Sequence, residues 1–180
     1  MSSSQERTAR SFVERHGLWS DEQFEAAARA DKWIEEQGLE VVRLSFPDQH
    51  GILRGKTVVA SEAAAMRNGC SITTTLLAKD TAHKTAFPVF TPGGGFGMTE
   101  MEGGGDFLMI ADPLTFRVLP WAPRTGWVLC DIYFASGQPV PFSTFGRVMN
   151  VAWQPCRRQI CFTALRTSIM VSAGESPTCG

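Results

Sequence analysis

The sequence predicts an α+β fold, and three observations carry that expectation. Apolar residues alternate with period two in several short runs, one run carries a capped helical pattern, and the runs follow in the order hairpin, helix, strand rather than as repeated strand–helix–strand units. A chain of 180 residues is the size of one ordinary domain with a possible tail.

Residues 5–19 are polar without a firm period, and predict a short frayed helix at most. At Ser20 the character changes. Ser20 followed by Gln23 is a capping-box pattern, Asp21 and Glu22 suit the positive end of a helix dipole, and helix formers run to Gln37 before Gly38 supplies the stop. Phe24, Ala27, Ala28 and Ile34 fall near one face, so this helix is expected to pack against the body or a partner subunit. From Glu40 the period is two, with Val42, Leu44 and Phe46 on one side. Pro47, Asp48 and Gly51 make a turn, and Ile52 to Val59 returns as the second strand of an antiparallel hairpin. Ser61 is expected to cap a short Ala-rich helix ending at Asn68 and Gly69, and Ile72 to Leu77 to form a third strand. The glycine-rich stretch after Leu77 fits neither GxGxxG nor a Walker pattern, and is expected to be a mobile surface loop. Phe107 to Ala111, Phe116 to Trp121 and Trp127 to Phe134 complete the predicted strands, with turns at Asp112-Pro113 and Ser136-Gly137.

Seventeen basic against eighteen acidic residues give a net charge of -1, which offers no electrostatic reason to expect nucleic acid or an anionic membrane as partner. No run is long enough to span a bilayer, and the charged N-terminus has no apolar core of a secretory signal. Five cysteines without CxxC spacing read as reduced thiols, so a cytoplasmic location is expected.

Read residue by residue, no self-sufficient active site is visible. GCSIT at 69–73 lacks the closing glycine of a nucleophile elbow, nothing local would activate Cys70 beside His83, and His16, His50 and His83 have no metal-binding spacing. Asp48 and His50 are expected to do turn work, His50 exposed, and Arg54 and Lys56 to lie on a solvated face in preference to the alternative of an anion contact. Asp80 follows a predicted strand and precedes the glycine-rich loop, where a carboxylate could reach a cation or amine or could equally cap a turn. Asp106 and Asp112 flank one strand and could anchor its ends.

Four blocks, RLSFPDQHGILRGK, LLAKDTAHKTAFPVF, GDFLMIADPLTFRVLPWAP and GWVLCDIYFASGQPVPFST, occur in an order that resembles the amino-terminal β-grasp domain of the glutamine synthetase family, closest in style to its γ-glutamyl ligases acting on amines as well as ammonia. The resemblance covers roughly residues 38–144. It implies a β-grasp-like sheet with a short helix packed on it, preceded by a helical segment at 1–37 and followed by an irregular tail at 145–180. It also implies the family reaction: ATP phosphorylates the γ-carboxylate of glutamate, and ammonia or an amine displaces the phosphate with Mg or Mn neutralising charge. In that family the β-grasp domain holds neither metal nor ATP, so no cofactor is expected in this chain. Its implied partners are ammonium or a small-molecule amine and the catalytic domain of a neighbouring subunit. Carried over on the matching blocks, Asp80 and Asp106 are the residues of the ammonium or amine pocket, although KDTAH stands where the family's glutamine synthetases have a phenylalanine, aspartate, glycine and serines. Beyond PVPFST the family pattern of an arginine, a helix and a glutamate-x-glutamate metal motif gives way to FGRVMNVAWQPCRRQICFTALRTSIMVSAGESPTCG, which reads as an aberrant continuation such as a frameshift product. The chain is accordingly expected to be a fragment inactive alone; the alternative is a stand-alone domain joining ring assemblies of full-length relatives.

Overall fold

The computed structural model describes residues 10–62 and 65–141, so the expected tail at 145–180 lies outside the described residues. In chain order the regular elements are helices α1 (Phe12–His16) and α2 (Asp21–Glu36), strands β1 (Val41–Pro47) and β2 (Leu53–Val59), helix α3 (Ala65–Asn68), and strands β3 (Cys70–Thr73), β4 (Asp106–Ala111), β5 (Arg117–Val118) and β6 (Thr125–Tyr133). The strands form one mixed sheet in the order β2-β1-β6-β4-β3, with β5 also on β6.

β1 and β2 pair as the expected antiparallel hairpin, Val42 opposite Val58 and Phe46 opposite Arg54. The long strand β6 then serves two partners. Thr125 to Leu129 run parallel to β1, and Cys130 to Tyr133 run antiparallel to β4. Because alternate side chains point to opposite faces, Val42, Leu44, Phe46, Phe107, Met109, Val128, Cys130 and Ile132 collect in one buried cluster, with Phe46 and Phe107 edge to face at 5.4 Å between centroids. Met66 of α3 packs into the same cluster, which puts the predicted short helix on the sheet. This is the α+β, β-grasp-like architecture that the sequence predicts.

The first helix is firmer than its polar composition suggests. The Ser11 backbone N–H and hydroxyl both donate to Glu14 Oε2, at 2.7 and 2.6 Å, and Phe12 and Val13 join Trp19, Ala27, Ile110 and Tyr133 in a second apolar cluster. Trp19 Nε1 donates to the Ala111 carbonyl (3.0 Å) and Gln23 Nε2 to Asp112 Oδ1 (3.0 Å), so the start of α2 is tied to the end of β4. The predicted Ser20 cap is formed, Ser20 Oγ accepting from the Gln23 amide at 3.4 Å. On α2 the buried residues are Ala26, Ala27, Ala30 and Ile34; Ala28 is exposed. At the other end of the helix, Trp33 meets Phe116 (6.4 Å between centroids), whose ring lies against Gly126 of β6 so closely that a Cβ there would stand 2.9 Å from Phe116 Cζ.

Two predicted strands are shorter than their apolar runs. The third begins at Cys70 and ends at Thr73, whose hydroxyl accepts the Thr75 amide and turns residues 74–78 into a 3-10 helix. The run from Phe116 contributes only two residues to the sheet before the Pro120 turn. The glycine-rich stretch is anchored: Gly103 N donates to the Val89 carbonyl (2.8 Å), Gly95 N to the Pro88 carbonyl (3.2 Å), and Val89 and Met101 are fully covered. Gly95 has φ +65°, and a Cβ on it would come within 2.7 Å of the Met101 backbone, so glycine here serves close packing.

Two measurements check this account. Replacing Phe107 by Ala is expected to cost about 3–5 kcal/mol, read as a lower urea midpoint, because the ring sits at the centre of the cluster. Hydrogen bonds from the Ser11 hydroxyl and then its backbone hold the Glu14 carboxyl below its ordinary range. Its contribution to α1 is therefore present above the unfolded-state value and lost as pH falls through the depressed folded value. A carboxyl titration by NMR should show Glu14 and the Ser11 amide moving together, the step absent in Glu14→Gln.

Candidate functional site

Asp80 sits on a small hairpin. Lys79 bridges Thr85 across it, the Asp80 amide donates to the Lys84 carbonyl (2.9 Å), and the Ala86 and Phe87 amides both donate to the Ala78 carbonyl at its base. One carboxylate oxygen organises the tip: Asp80 Oδ1 accepts the amides of Ala82 and Lys84, each at 2.9 Å. The other oxygen accepts no hydrogen bond among the described residues, so Asp80 does turn work while keeping an acceptor available. Asp106 opens β4 opposite Thr73, is exposed, and makes no side-chain hydrogen bond or ion pair among the described residues. The Thr74 amide, which donates to the Gly105 carbonyl (2.8 Å), joins the two neighbourhoods, with the 3-10 helix 74–78 leading from Asp106's partner strand to Asp80. No hydrogen bond links the two carboxylates directly.

What fixes the Asp80 hairpin is the turn between β1 and β2, and here sequence reasoning fell short. Asp48 is buried; its Oδ1 accepts the His50 and Ile52 amides (2.9 Å each), the expected turn work, while Oδ2 pairs with Arg54 Nε at 2.9 Å. Arg54 is thus not on a solvated face: its side chain is 10% exposed and that of Asp48 1%. From the same turn, Gln49 Nε2 donates to the Leu77 carbonyl (2.6 Å), and the exposed His50 reaches the Lys79 carbonyl through Nε2 (3.1 Å), which must carry the proton because a carbonyl only accepts. Arg54 Nη1 lies 2.9 Å from His83 Nδ1. A guanidinium has no acceptor, so His83 Nδ1 is unprotonated in this contact. Arg54 Nη2 is buried without a hydrogen-bond partner among the described residues, a cost of about 1–3 kcal/mol that a solvated arginine would not carry. The signal that could have revealed this pair was spacing: Asp48 precedes the turn and Arg54 lies opposite Phe46 on the returning strand.

The other chemistries weighed from the sequence find no geometry. His83 contacts Arg54 rather than Cys70, which lies in β3 opposite Met109. Burial, with Asp131 nearby, pushes the Cys130 thiol far above its ordinary value, so it is an inert core residue. Among the described residues no three His, Cys, Asp or Glu side chains are grouped to hold a metal ion, and no helix is long and apolar enough to cross a membrane.

Comparison with known proteins gives this geometry a family. The chain is 41% identical over 139 residues to a gamma-glutamylanilide synthase of an Acinetobacter species, the match covering 75% of the chain and 28% of that protein. It is 34% identical over 105 residues to a gamma-glutamylethanolamide synthetase of Streptomyces coelicolor, covering 57% and 21%, and 30% identical over 128 residues to a glutamate–isopropylamine ligase of a Pseudomonas species, covering 69% and 26%. No protein-family model matches the chain. The chain belongs to the glutamine synthetase family, and the three relatives just named are γ-glutamyl amine ligases of that family. It spans about a quarter of the length of these curated relatives, 28%, 21% and 26% in the three matches.

Removing Asp48 as Asp48→Ala leaves a buried guanidinium without its counter-ion, and is expected to cost about 3–5 kcal/mol in urea unfolding. Removing the exposed Asp106 as Asp106→Ala should change stability by less than about 0.5 kcal/mol.

Proposed function

We propose that this chain supplies the amine-binding side of a glutamate–amine ligase of the glutamine synthetase type. Asp80 and Asp106 form the anionic pocket for ammonium or the charged form of an amine, and the catalytic domain of a neighbouring subunit brings ATP, Mg or Mn, and glutamate. The observation that supports this reading best is the 41% identity to a gamma-glutamylanilide synthase, reinforced by two further relatives named for amine products or substrates. Those names favour an amine over ammonia. The reduced-thiol pattern favours the cytoplasm as its place of work.

The chemistry divides between the two sides. A carboxylate attracts the cationic amine but also favours its protonated form, so a base at the active site must take the proton before nitrogen attacks the γ-glutamyl phosphate. Asp80 keeps one oxygen outside its own turn, which suits it to hold the cation, and Asp106 presents its whole carboxylate. Two aspartates cannot also position a nucleotide, metals and a carboxylate, so turnover requires the catalytic domain. A second reading, an interaction domain that joins rings of full-length relatives, is favoured by the exposed Phe87, Phe90 and Phe96 beside the Asp80 hairpin.

The test is a glutamate-dependent assay of ADP release and γ-glutamyl amide formation with aniline, isopropylamine and ammonia, on the 180-residue chain alone and mixed with a full-length relative. No turnover is expected from the chain alone, and clear turnover overturns the division of labour. In the mixture, size-exclusion chromatography should show a complex, whose amide formation drops at least tenfold with Asp80→Asn.

A further inference from the structure

We propose that Arg54 is a positioning residue for Asp80: its guanidinium, fixed by buried Asp48, holds the 79–85 hairpin through neutral His83, so that the hairpin is set when His83 is neutral and released when it is protonated. The meaning of this for amine ligation rests on the role proposed above for Asp80; the device itself does not.

The geometry runs in one line from core to tip. Asp48 Oδ2 takes Arg54 Nε at 2.9 Å, and Arg54 Nη1 reaches His83 Nδ1 at 2.9 Å. The His83 amide donates to the Asp80 carbonyl at 3.0 Å, and Asp80 Oδ1 receives the amides on either side of His83, from Ala82 and Lys84. Most exposed arginine contacts are weak because a long side chain must be ordered to make them. Here the ordering is already done, since the guanidinium is buried and tied to a buried carboxylate. Its third nitrogen, Nη2, has no hydrogen-bond partner among the described residues, and Nη1 is the donor aimed at the hairpin.

His83 is the point at which that line can be broken. It holds a left-handed backbone conformation, φ +62°, unusual for a side-chain-bearing residue, so an external contact helps to keep the tip in this shape. Protonation puts a proton on Nδ1 and sets two cationic donors against each other at hydrogen-bond distance, which removes the contact. The charged and titratable groups around it are Arg54 and, through it, Asp48; His50, on the Lys79 carbonyl; and Lys79, Asp80 and Lys84 of its own hairpin, with Lys79 Nζ 3.5 Å from the His83 carbonyl. Gln49 and His50 hold the Leu77 and Lys79 carbonyls at the hairpin's base independently of His83. Release is therefore confined to the tip that carries the Asp80 carboxylate.

An NMR titration of the full chain between about pH 8 and about pH 5 tests this. The Ala82 and Lys84 amide protons should move toward random-coil positions with the same midpoint as the His83 imidazole, while the His50 and Ile52 amides, held by Asp48, stay in place. In Arg54→Lys, which keeps a cation on Asp48 but has no fork to reach His83, the Ala82 and Lys84 amides should be displaced toward the released position and show no step with pH. In His83→Asn, which tolerates the left-handed backbone and offers a non-titrating acceptor, the pH step should vanish. Opening of the tip should rise about tenfold in the Lys variant, the effect of one net hydrogen bond. The proposal is overturned if the wild-type amides ignore His83 titration, or if Arg54→Lys leaves their pH step intact. These signals need no substrate, so a chain that couples as described yet supports no amine ligation sinks only the functional reading.

Discussion

Thr125–Tyr133 has to satisfy two neighbours with opposite demands: its first half runs parallel to β1 and its second half antiparallel to β4. A parallel partner needs a long crossover, and the chain supplies one of nearly eighty residues, from the end of β1 to the start of β6. Everything in that crossover is placed by the need to return. β2 folds straight back on β1, α3 and β3 bring the chain to the far edge, and β4 runs in beside β6. Because β6 is covered on both faces for most of its length, most of its residues are apolar, and only Leu129 and Asp131, beside the junction of the two ladders, are partly exposed.

The site lies on the connections that this arrangement leaves over. The β1–β2 turn and the 74–85 segment belong to opposite edges of the sheet order, yet Gln49, His50 and Arg54 hold the carbonyls and imidazole of that segment. A loop bearing a carboxylate is thereby positioned by a hairpin turn on the strand furthest from it in the sheet. The pair that does this is buried and ionic, an arrangement that stabilises little in net terms but fixes one geometry among several, since each partner becomes costly without the other.

Local rules made much of this legible. The Ser20 cap, the period-two run Val42-Leu44-Phe46, the Asp112-Pro113 turn and the apolar strand at Phe107 follow from residues next to each other, and the structure has them. Non-local partners were not legible. Phe12 and Val13 looked like isolated apolar residues in a polar leader because their contacts, Ile110 and Tyr133, lie about a hundred residues on. Arg54 looked solvated because alternation in β2 does not reveal that a turn residue six positions earlier is buried beneath it. The glycines at 93–97 suggested freedom, whereas backbone atoms of Pro88, Thr91 and Met101 approach Gly94 and Gly95 too closely for any side chain. Asp80 and Asp106 came forward through block order, a kind of information that no periodicity contains.

The contact between Phe116 and Gly126 couples α2 to β6 through a single ring. The ring rests on β6 only because position 126 has no methyl group, and Trp33 of α2 rests in turn on the ring. A side chain at 126 would push Phe116 outward and lift the end of the helix, so the two positions cannot drift separately: enlargement at one demands reduction at the other. The seating of α2 is in this sense written on the opposite side of the aromatic ring, in the backbone of β6.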